Sequence, residues 1–276
     1  MLKSYGRRLQ SLFSNYKYYA SVCCIIKDEN VYLEEWITYH LKIGFEHFYI
    51  YDNGSAVPVK QTLEEIGLSQ YATVVLFEGK SMQIKAYNDC LNKFGRFSLW
   101  IAFIDLDEFI VPKSTNGNLP AFLKQFEKFA GLGINWLVFG SSGLKAKTNR
   151  PQLESFVFRS KESLSINKHI KSIVQPRYVR ATSNPHCFKY QSGKYAVNEN
   201  FNPIKDAFSD VSVNKIQINH YYCRTLEEYQ EKIKRGRSDV DSIERLITHF
   251  HDHDVDSNFV KDTAILEIVA QLQSQS

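Results

Sequence analysis

The chain has 276 residues, with hydrophobic side chains at 43% and aromatic ones at 14%, which excludes a disordered or fibrous protein and leaves core enough for one large α/β domain or two small ones. Its 34 Lys and Arg against 30 Asp and Glu give a net charge of +4, too little to argue for a nucleic-acid partner and compatible with an anionic small ligand. The cysteines (Cys23, Cys24, Cys90, Cys187, Cys223) form no C-x-x-C pair or repeated spacing, so free thiols in a reducing compartment are the simplest account.

Residues 1–19, MLKSYGRRLQSLFSNYKYY, lack a signal-peptide apolar core, and no apolar run reaches the roughly 18 to 20 residues that span a bilayer. The expectation is a cytoplasmic protein. This extension reads either as a short amphipathic helix in peripheral contact with anionic lipid at the inner face of the membrane, or as a helix packed on the domain. From residue 21 a regular alternation begins. SVCCII is an apolar run of strand length, and VYLEEWITYHLKIG (31–44) sets Leu33, Trp36, Ile37, His40 and Leu41 at helical spacing before a glycine stop. HFYIYDNGS reads as a strand entering a turn, VKQTLEEIG as a helix, ATVVLFEG as a strand, MQIKAYNDCLNKFG as a helix and SLWIAFID as a strand. Such alternation predicts parallel βαβ units with right-handed crossovers in a sheet covered on both faces. The second half is less regular. It offers strands near NWLVFGSSG, SFVFR, KSIVQPRYV and NKIQINHYYC, an Asn-, Pro- and Ser-rich stretch at 181–212, and a helix TLEEYQEKIKRG with Thr225 as N-cap and Glu228 completing a capping box. A polar stretch from about Ser238 includes HFHDHD (249–254), a short alternation without the framework that fixes a dedicated metal site.

In parallel sheets of this kind the ligand lies beyond the carboxyl ends of the strands. KDEN (27–30), DNGS (52–55), EGKS (78–81) and DLDE (105–108) each follow a predicted strand, so all four should converge on one sheet edge. Asp105 and Asp107 are the sharpest feature, because a divalent cation gives two carboxylates a reason to tolerate each other at a strand end. Taken alone, a D-x-D reads first as an edge turn whose acids are solvated or paired with Lys and Arg.

The blocks IIKDENVYLEEWITYHLKIGFEHFYIYDNGS, QIKAYNDCL, WIAFIDLDEFIVP, NWLVFGSSG, HIKSIVQPRYV and NHYYCRTLEEYQEKIKRG, in that order, resemble glycosyltransferase family 92 and the related family 2-like group. The resemblance implies a GT-A (Rossmann-like) α/β domain with a mixed, mostly parallel central sheet. Its division would be the extension 1–19, a transferase domain 20–237 with a nucleotide-binding half (20–110) and an acceptor half (111–237), and a C-terminal helical tail 238–276.

What the resemblance implies for the site has a chemical reason in each case. Asp28 and Glu29 would meet base or ribose, accepting from N–H and hydroxyl groups. Asp52 and Ser55 would enclose the nucleoside, and Gln83, Tyr87 and Asn88 share a helical face over the donor, unless they are ordinary polar residues of a half-buried helix. Asp105, Asp107 and His220 would hold a divalent metal, manganese rather than magnesium because neutral imidazole suits it. Glu108 would support them or pair with lysines. Lys171, Lys232 and Arg235 would offset charge on the departing diphosphate, against the plainer reading of a solvated basic helix face. Trp136 and Phe139 would stack on the acceptor while Ser141 and Ser142 bond its hydroxyls. For a base to take the acceptor proton, FGSSGLKAKTN supplies no acid, leaving Glu154, Asp206 or His186.

The function implied is transfer of a sugar from a nucleotide-diphosphate donor, a UDP-sugar with UDP-galactose foremost, to a glycan or lipid-linked oligosaccharide hydroxyl, with inversion, in cell-surface polysaccharide synthesis. Two alternatives stay open: a carbohydrate-binding or scaffold protein on the same fold, and a metal-dependent nucleotidyltransferase, although no G-x-x-x-x-G-K-[ST] loop occurs.

Overall fold

The computed structural model describes residues 16–236 and 245–274. Nine strands and helices precede the first long crossover: β1 (Tyr18–Ile26), α1 (Leu33–Ile43), β2 (His47–Asp52), α2 (Val59–Glu65), β3 (Ala72–Leu76), α3 (Gln83–Phe94), β4 (Ser98–Phe103), β5 (Glu108–Val111) and α4 (Leu119–Leu123). There follow β6 (Gly131–Val138), α5 (Gln152–Ser155), β7 (Phe158–Arg159), β8 (Ile170–Val174), β9 (Val179–Ala181), β10 (Lys189–Tyr190), β11 (Ala196–Val197), β12 (Pro203–Ile204) and β13 (Gln217–His220). The chain closes with α6 (Leu226–Arg235), α7 (Ile247–Asp256), β14 (Val260–Lys261) and α8 (Ala264–Ser274).

The helices form where the sequence predicts. On α1 the buried Leu33, Trp36, Ile37, His40 and Ile43 recur at three- and four-residue spacing, and Gly44 ends the helix at φ +109°, where a side chain would strain the backbone and strike Pro120. β1 is buried on both faces from Ala20 onward, as a central strand between helical layers must be.

The sheet order is β12-β11-β6-β8-β4-β1-β2-β3, with β1 parallel to β2 and β4, and β2 parallel to β3. β8 enters antiparallel between β4 and β6, which makes the sheet mixed but mostly parallel. After β4 the chain leaves the sheet through residues 104–107 and returns as β5, which pairs antiparallel with β13 while β13 runs parallel to β6. Two side chains of α1 fix that departure: Trp36 Nε1 donates to the Glu108 carbonyl and Tyr39 OH to the Ile110 carbonyl, both at 2.8 Å.

From residue 245 on, the described chain is mainly helical and packs on the domain. β14 pairs with β7, and Ile265 and Ile268 of α8 enter the main core. Of the extension expected at 1–19, residues 1–15 lie outside the described residues, and Tyr18 and Tyr19 already belong to β1.

Candidate active site

The two aspartates of the turn between β4 and β5 point to different partners. Asp105 Oδ1 accepts from Gln83 Nε2 at 2.8 Å and Tyr87 OH at 3.4 Å, and its Oδ2 accepts from Lys171 Nζ at 2.7 Å. Register explains the lysine: Ser172 pairs with Phe103 across β8 and β4, so Lys171 comes level with the turn. Lys171 is buried and lies 3.6 Å from Glu108 as well. Burial alone would lower its ammonium, but the Asp105 and Glu108 carboxylates hold it above the ordinary lysine range. Glu108 accepts the Asp105 N–H at 2.9 Å through Oε2, while Oε1 has no partner among the described residues. Burial pushes its carboxyl up, the Asp105 and Asp107 charges adding to it against the pull of Lys171.

Asp107 belongs to the other half of the molecule. Its Oδ2 accepts from Lys232 Nζ at 2.5 Å and its Oδ1 lies 3.6 Å from His220 Nε2. Cross-strand register again sets the geometry, since His220 pairs with Glu108 and the Tyr221 N–H donates to the Asp107 carbonyl at 2.8 Å. Lys232 is carried by α6, whose start is fixed by the predicted capping box: Thr225 Oγ1 accepts the Glu228 N–H and Glu228 accepts the Thr225 N–H. Burial would raise the Asp107 carboxyl, but Lys232 and His220 bring it well below the usual carboxylate range. Burial lowers His220 despite Asp107, so its imidazole is neutral.

These residues fit a divalent cation in part. Ligand atoms bound to one ion at about 2.0–2.2 Å sit roughly 3 to 4 Å apart, so Asp107 Oδ1 and the lone pair of His220 Nε2 are placed to share one. Asp105 bonds Gln83, Tyr87 and Lys171 through its two oxygens. Among the described residues no three His, Cys, Asp or Glu side chains form a complete ligand set. Of the expected trio, Asp107 and His220 lie 3.6 Å apart.

Around this centre the strand-end loops are tied to one another. Glu29 receives Arg235 at 2.9 Å and Arg224 at 3.6 Å, a pairing the sequence reading did not anticipate. The Asp28 N–H donates to Ser55 Oγ and Asp28 Oδ1 accepts the Ala56 N–H, while Asp52 accepts the N–H groups of Ser55 and Val59. Asp52 thus shapes its loop with both oxygens, whereas the Asp28 side chain is exposed. Asn88 faces away from the centre, bonding the backbone of Ile84 and Thr182. Asp28, Ser81, Ser142 and Arg224, all at this sheet edge, adopt left-handed backbone that side chains adopt at a cost.

On the acceptor side Trp136 lies 4.3 Å from the His220 ring, 4.9 Å from His169 and 5.2 Å from His186, centroid to centroid, and its Nε1 is buried without a partner among the described residues. His186 Nδ1 sits 2.9 Å from the Ile170 carbonyl, which makes Nε2 the ring's accepting nitrogen. The other acceptor-side expectations are corrected. Phe139 is buried against Tyr221. Ser141 donates to Asp254 at 3.0 Å and Ser142 Oγ accepts the N–H groups of Val157 and Phe158, so both serve the loop and not a ligand. Asp254 lies in HFHDHD, which is the packed helix α7, with Phe250 buried and His253 against Tyr222. Glu154 is exposed beside Arg150, in a groove of about 600 Å³ between α1, α5 and α8 whose lining includes none of Asp105, Asp107, Lys171 or His220. Asp206 is exposed and accepts the N–H of Phe208.

One residue escaped the sequence reading altogether. Arg224 lies 3.5 Å over the Tyr32 ring, donates to Gln152 and reaches the Leu106 carbonyl within the aspartate turn. In NHYYCRTLEE it reads as an ordinary charge before an N-cap, and its left-handed φ has no signature in a non-glycine residue.

A family model described as glycosyltransferase family 92 matches residues 16–263. The chain belongs to glycosyltransferase family 92. It is 26% identical over 222 residues to a family 92 protein of Ricinus communis, covering 78% of this chain and 37% of that one. Against a family 92 protein of Oryza sativa subsp. japonica the identity is 25%, over 76% and 34% of the two chains. Against a galactan beta-1,4-galactosyltransferase of Arabidopsis thaliana it is 27%, over 59% and 34%. The family 92 chain thus spans little more than a third of the length of the curated relatives it matches. Among solved structures, a mannosyltransferase of Pyrobaculum calidifontis in complex with GDP-Man and Mn2+ overlaps 45% of this chain and 37% of its own at 14% identity and a TM-score of 0.34, too distant to bear on the site.

Proposed function

We propose that this family 92 chain transfers a sugar from a nucleotide-diphosphate donor to a glycan hydroxyl, with UDP-galactose the first donor to try. The observation that carries the reading is Asp107, buried at the sheet edge and shared between His220 and Lys232. A divalent cation, manganese by the softness of the imidazole ligand, would be held by Asp107 and His220 and would neutralise charge on the departing diphosphate. Lys171, Lys232, Arg224 and Arg235 gather around Asp105, Asp107, Glu108 and Glu29, so cations stand ready at the centre for an anionic ligand to engage. Inversion requires a base on the acceptor side. Of the three candidates His186 is the one that borders Trp136; burial and Lys171 lower its pKa to about 3, which keeps Nε2 unprotonated but makes it a weak base unless the bound substrate's charge raises it.

Isothermal titration of UDP with and without manganese tests the reading. The wild type should bind only with the ion and Asp107→Ala should lose binding at least about tenfold, whereas His186→Gln should keep UDP affinity and slow UDP-galactose turnover by roughly a hundredfold. UDP that binds neither way removes the donor site, and equal turnover in His186→Gln removes the base.

A further inference from the structure

The end of the molecule opposite the candidate site, where β1, β4 and β6 begin, is covered by aromatic rings with cations set over them. Lys128 Nζ lies 5.1 Å from the Phe129 ring and 5.8 Å from Phe201. Lys194 and Arg177 lie 4.3 and 4.6 Å from Tyr178. At the strand starts Lys17 stands over Tyr18 and Arg96 over Phe97, at 4.9 and 4.7 Å. These rings are not core. Phe201 is 42% and Tyr195 47% exposed, and with Lys128, Phe129 and Lys194 they line a shallow cavity of about 360 Å³.

The backbone is strained to present one of them. Phe201 sits at φ +66°, a region a bulky side chain avoids, and the turn is held by Asn198, whose side chain accepts the N–H groups of Asn200 and Asn202. Carboxylates of this end are engaged in hydrogen bonds. Glu46 and Glu127 both bond Tyr19, and Glu199 is buried beneath the N–H groups of Asn214, Lys215 and Ile216. Glu46 and Glu127 remain exposed and Glu199 is buried, against the exposed Lys17, Arg96, Lys128, Arg177 and Lys194, so among these groups exposed cations outnumber exposed acids.

We infer that this end of the molecule docks on an anionic lipid surface. Lysines and arginines attract acidic headgroups while the neighbouring rings enter the interface, the division of labour of peripheral membrane faces. A glycan is the weaker occupant, because it would need open ring faces and here cations lie over them. In the sequence Lys3, Arg7, Arg8 and Lys17 precede the first carboxylate, Asp28. With β6 running 8 residues from this end to the site, docking would hold Asp107 roughly 25 Å from the bilayer and facing away from it.

Co-sedimentation of the full chain with vesicles tests the inference, independently of UDP binding. Vesicles of phosphatidylcholine with about 30% phosphatidylglycerol should capture the protein, pure phosphatidylcholine should capture at least about tenfold less, and roughly 0.5 M salt should release it. Lys128→Glu with Lys194→Glu, and separately Phe201→Ser, should each weaken capture at least about tenfold with melting temperature and UDP affinity unchanged. Absence of capture by the acidic vesicles overturns the inference. So does capture that survives both variants, since the basic segment before β1 would then suffice, and so does equal capture by neutral vesicles.

Discussion

Lys232 shows how one residue joins stability to the proposed chemistry. Its ammonium is buried, 2.5 Å from an equally buried Asp107 carboxylate, and burial lowers its pKa while Asp107 pulls the other way. Each charge is tolerable in the interior only because of the other. Removing the lysine while keeping its volume, as in Lys232→Met, strands Asp107 without its cation and should cost about 3 to 5 kcal/mol. The same variant removes the cation that competes for Asp107, whose Oδ1 faces His220, so manganese should raise its melting temperature more than that of the wild type. Thermal unfolding of both proteins with and without the ion decides the matter. Equal shifts would mean that Asp107 is not where the ion binds.

At the scale of the element, α6 is the lever that sets Lys232 and Arg235 in place. Its first turn is closed by Thr225 and Glu228, and Glu228 also accepts from the Tyr32 hydroxyl at 2.6 Å, linking the helix to the start of α1. Thr225→Ala should lower stability by about 1 kcal/mol in denaturant melts and weaken UDP binding as well, because loosening the first turn loosens the lysine two turns on. A stability loss without an effect on UDP would separate α6 from the donor site. That capping box was readable in TLEEY because its chemistry is local: a hydroxyl, a carboxylate and a spacing of three. So were α1 and α3, whose apolar stripes repeat at helical period. The aspartate turn was readable as a cluster, but not its division, since Asp105 meets Lys171 through the β4–β8 register and Asp107 meets Lys232 across 125 residues. FGSSG misled for the same reason. Its serines look free in sequence, and Asp254 and the N–H groups of Val157 and Phe158, which engage them, arrive from segments with no local signal.

Over the whole molecule, burial of neutral histidines ties stability to pH. His40 is enclosed by Trp36, Tyr39, Phe45 and Phe109, and its Nδ1 lies 2.8 Å from the Trp36 carbonyl while Nε2 faces the Ile110 N–H. A proton on Nε2 would set donor against donor, and burial lowers the pKa to about 3. His47, at the start of β2 and bonded to Thr73, is lowered to about 4 by burial and by Lys17. Both have folded values below the unfolded value near 6.5, so the unfolded chain binds the protons that the fold refuses. Their contribution is complete above about pH 6.5 and is lost as pH falls toward the folded values, reaching roughly 2 kcal/mol for each at pH 5. The depressed carboxyls of Asp107 and Asp262 act only at lower pH, because their unfolded values already lie near 4. His186, lowered to about 3 as well, adds a similar share, and the raised carboxyls of Glu35 and Glu108 oppose it. Stability measured in denaturant should therefore fall by a few kcal/mol between pH 7.5 and 5, and His47→Gln should remove roughly a third of the histidine contribution. A flat profile would mean that these imidazoles titrate in the fold as they do in the unfolded chain, and the packing described around His40 would be wrong.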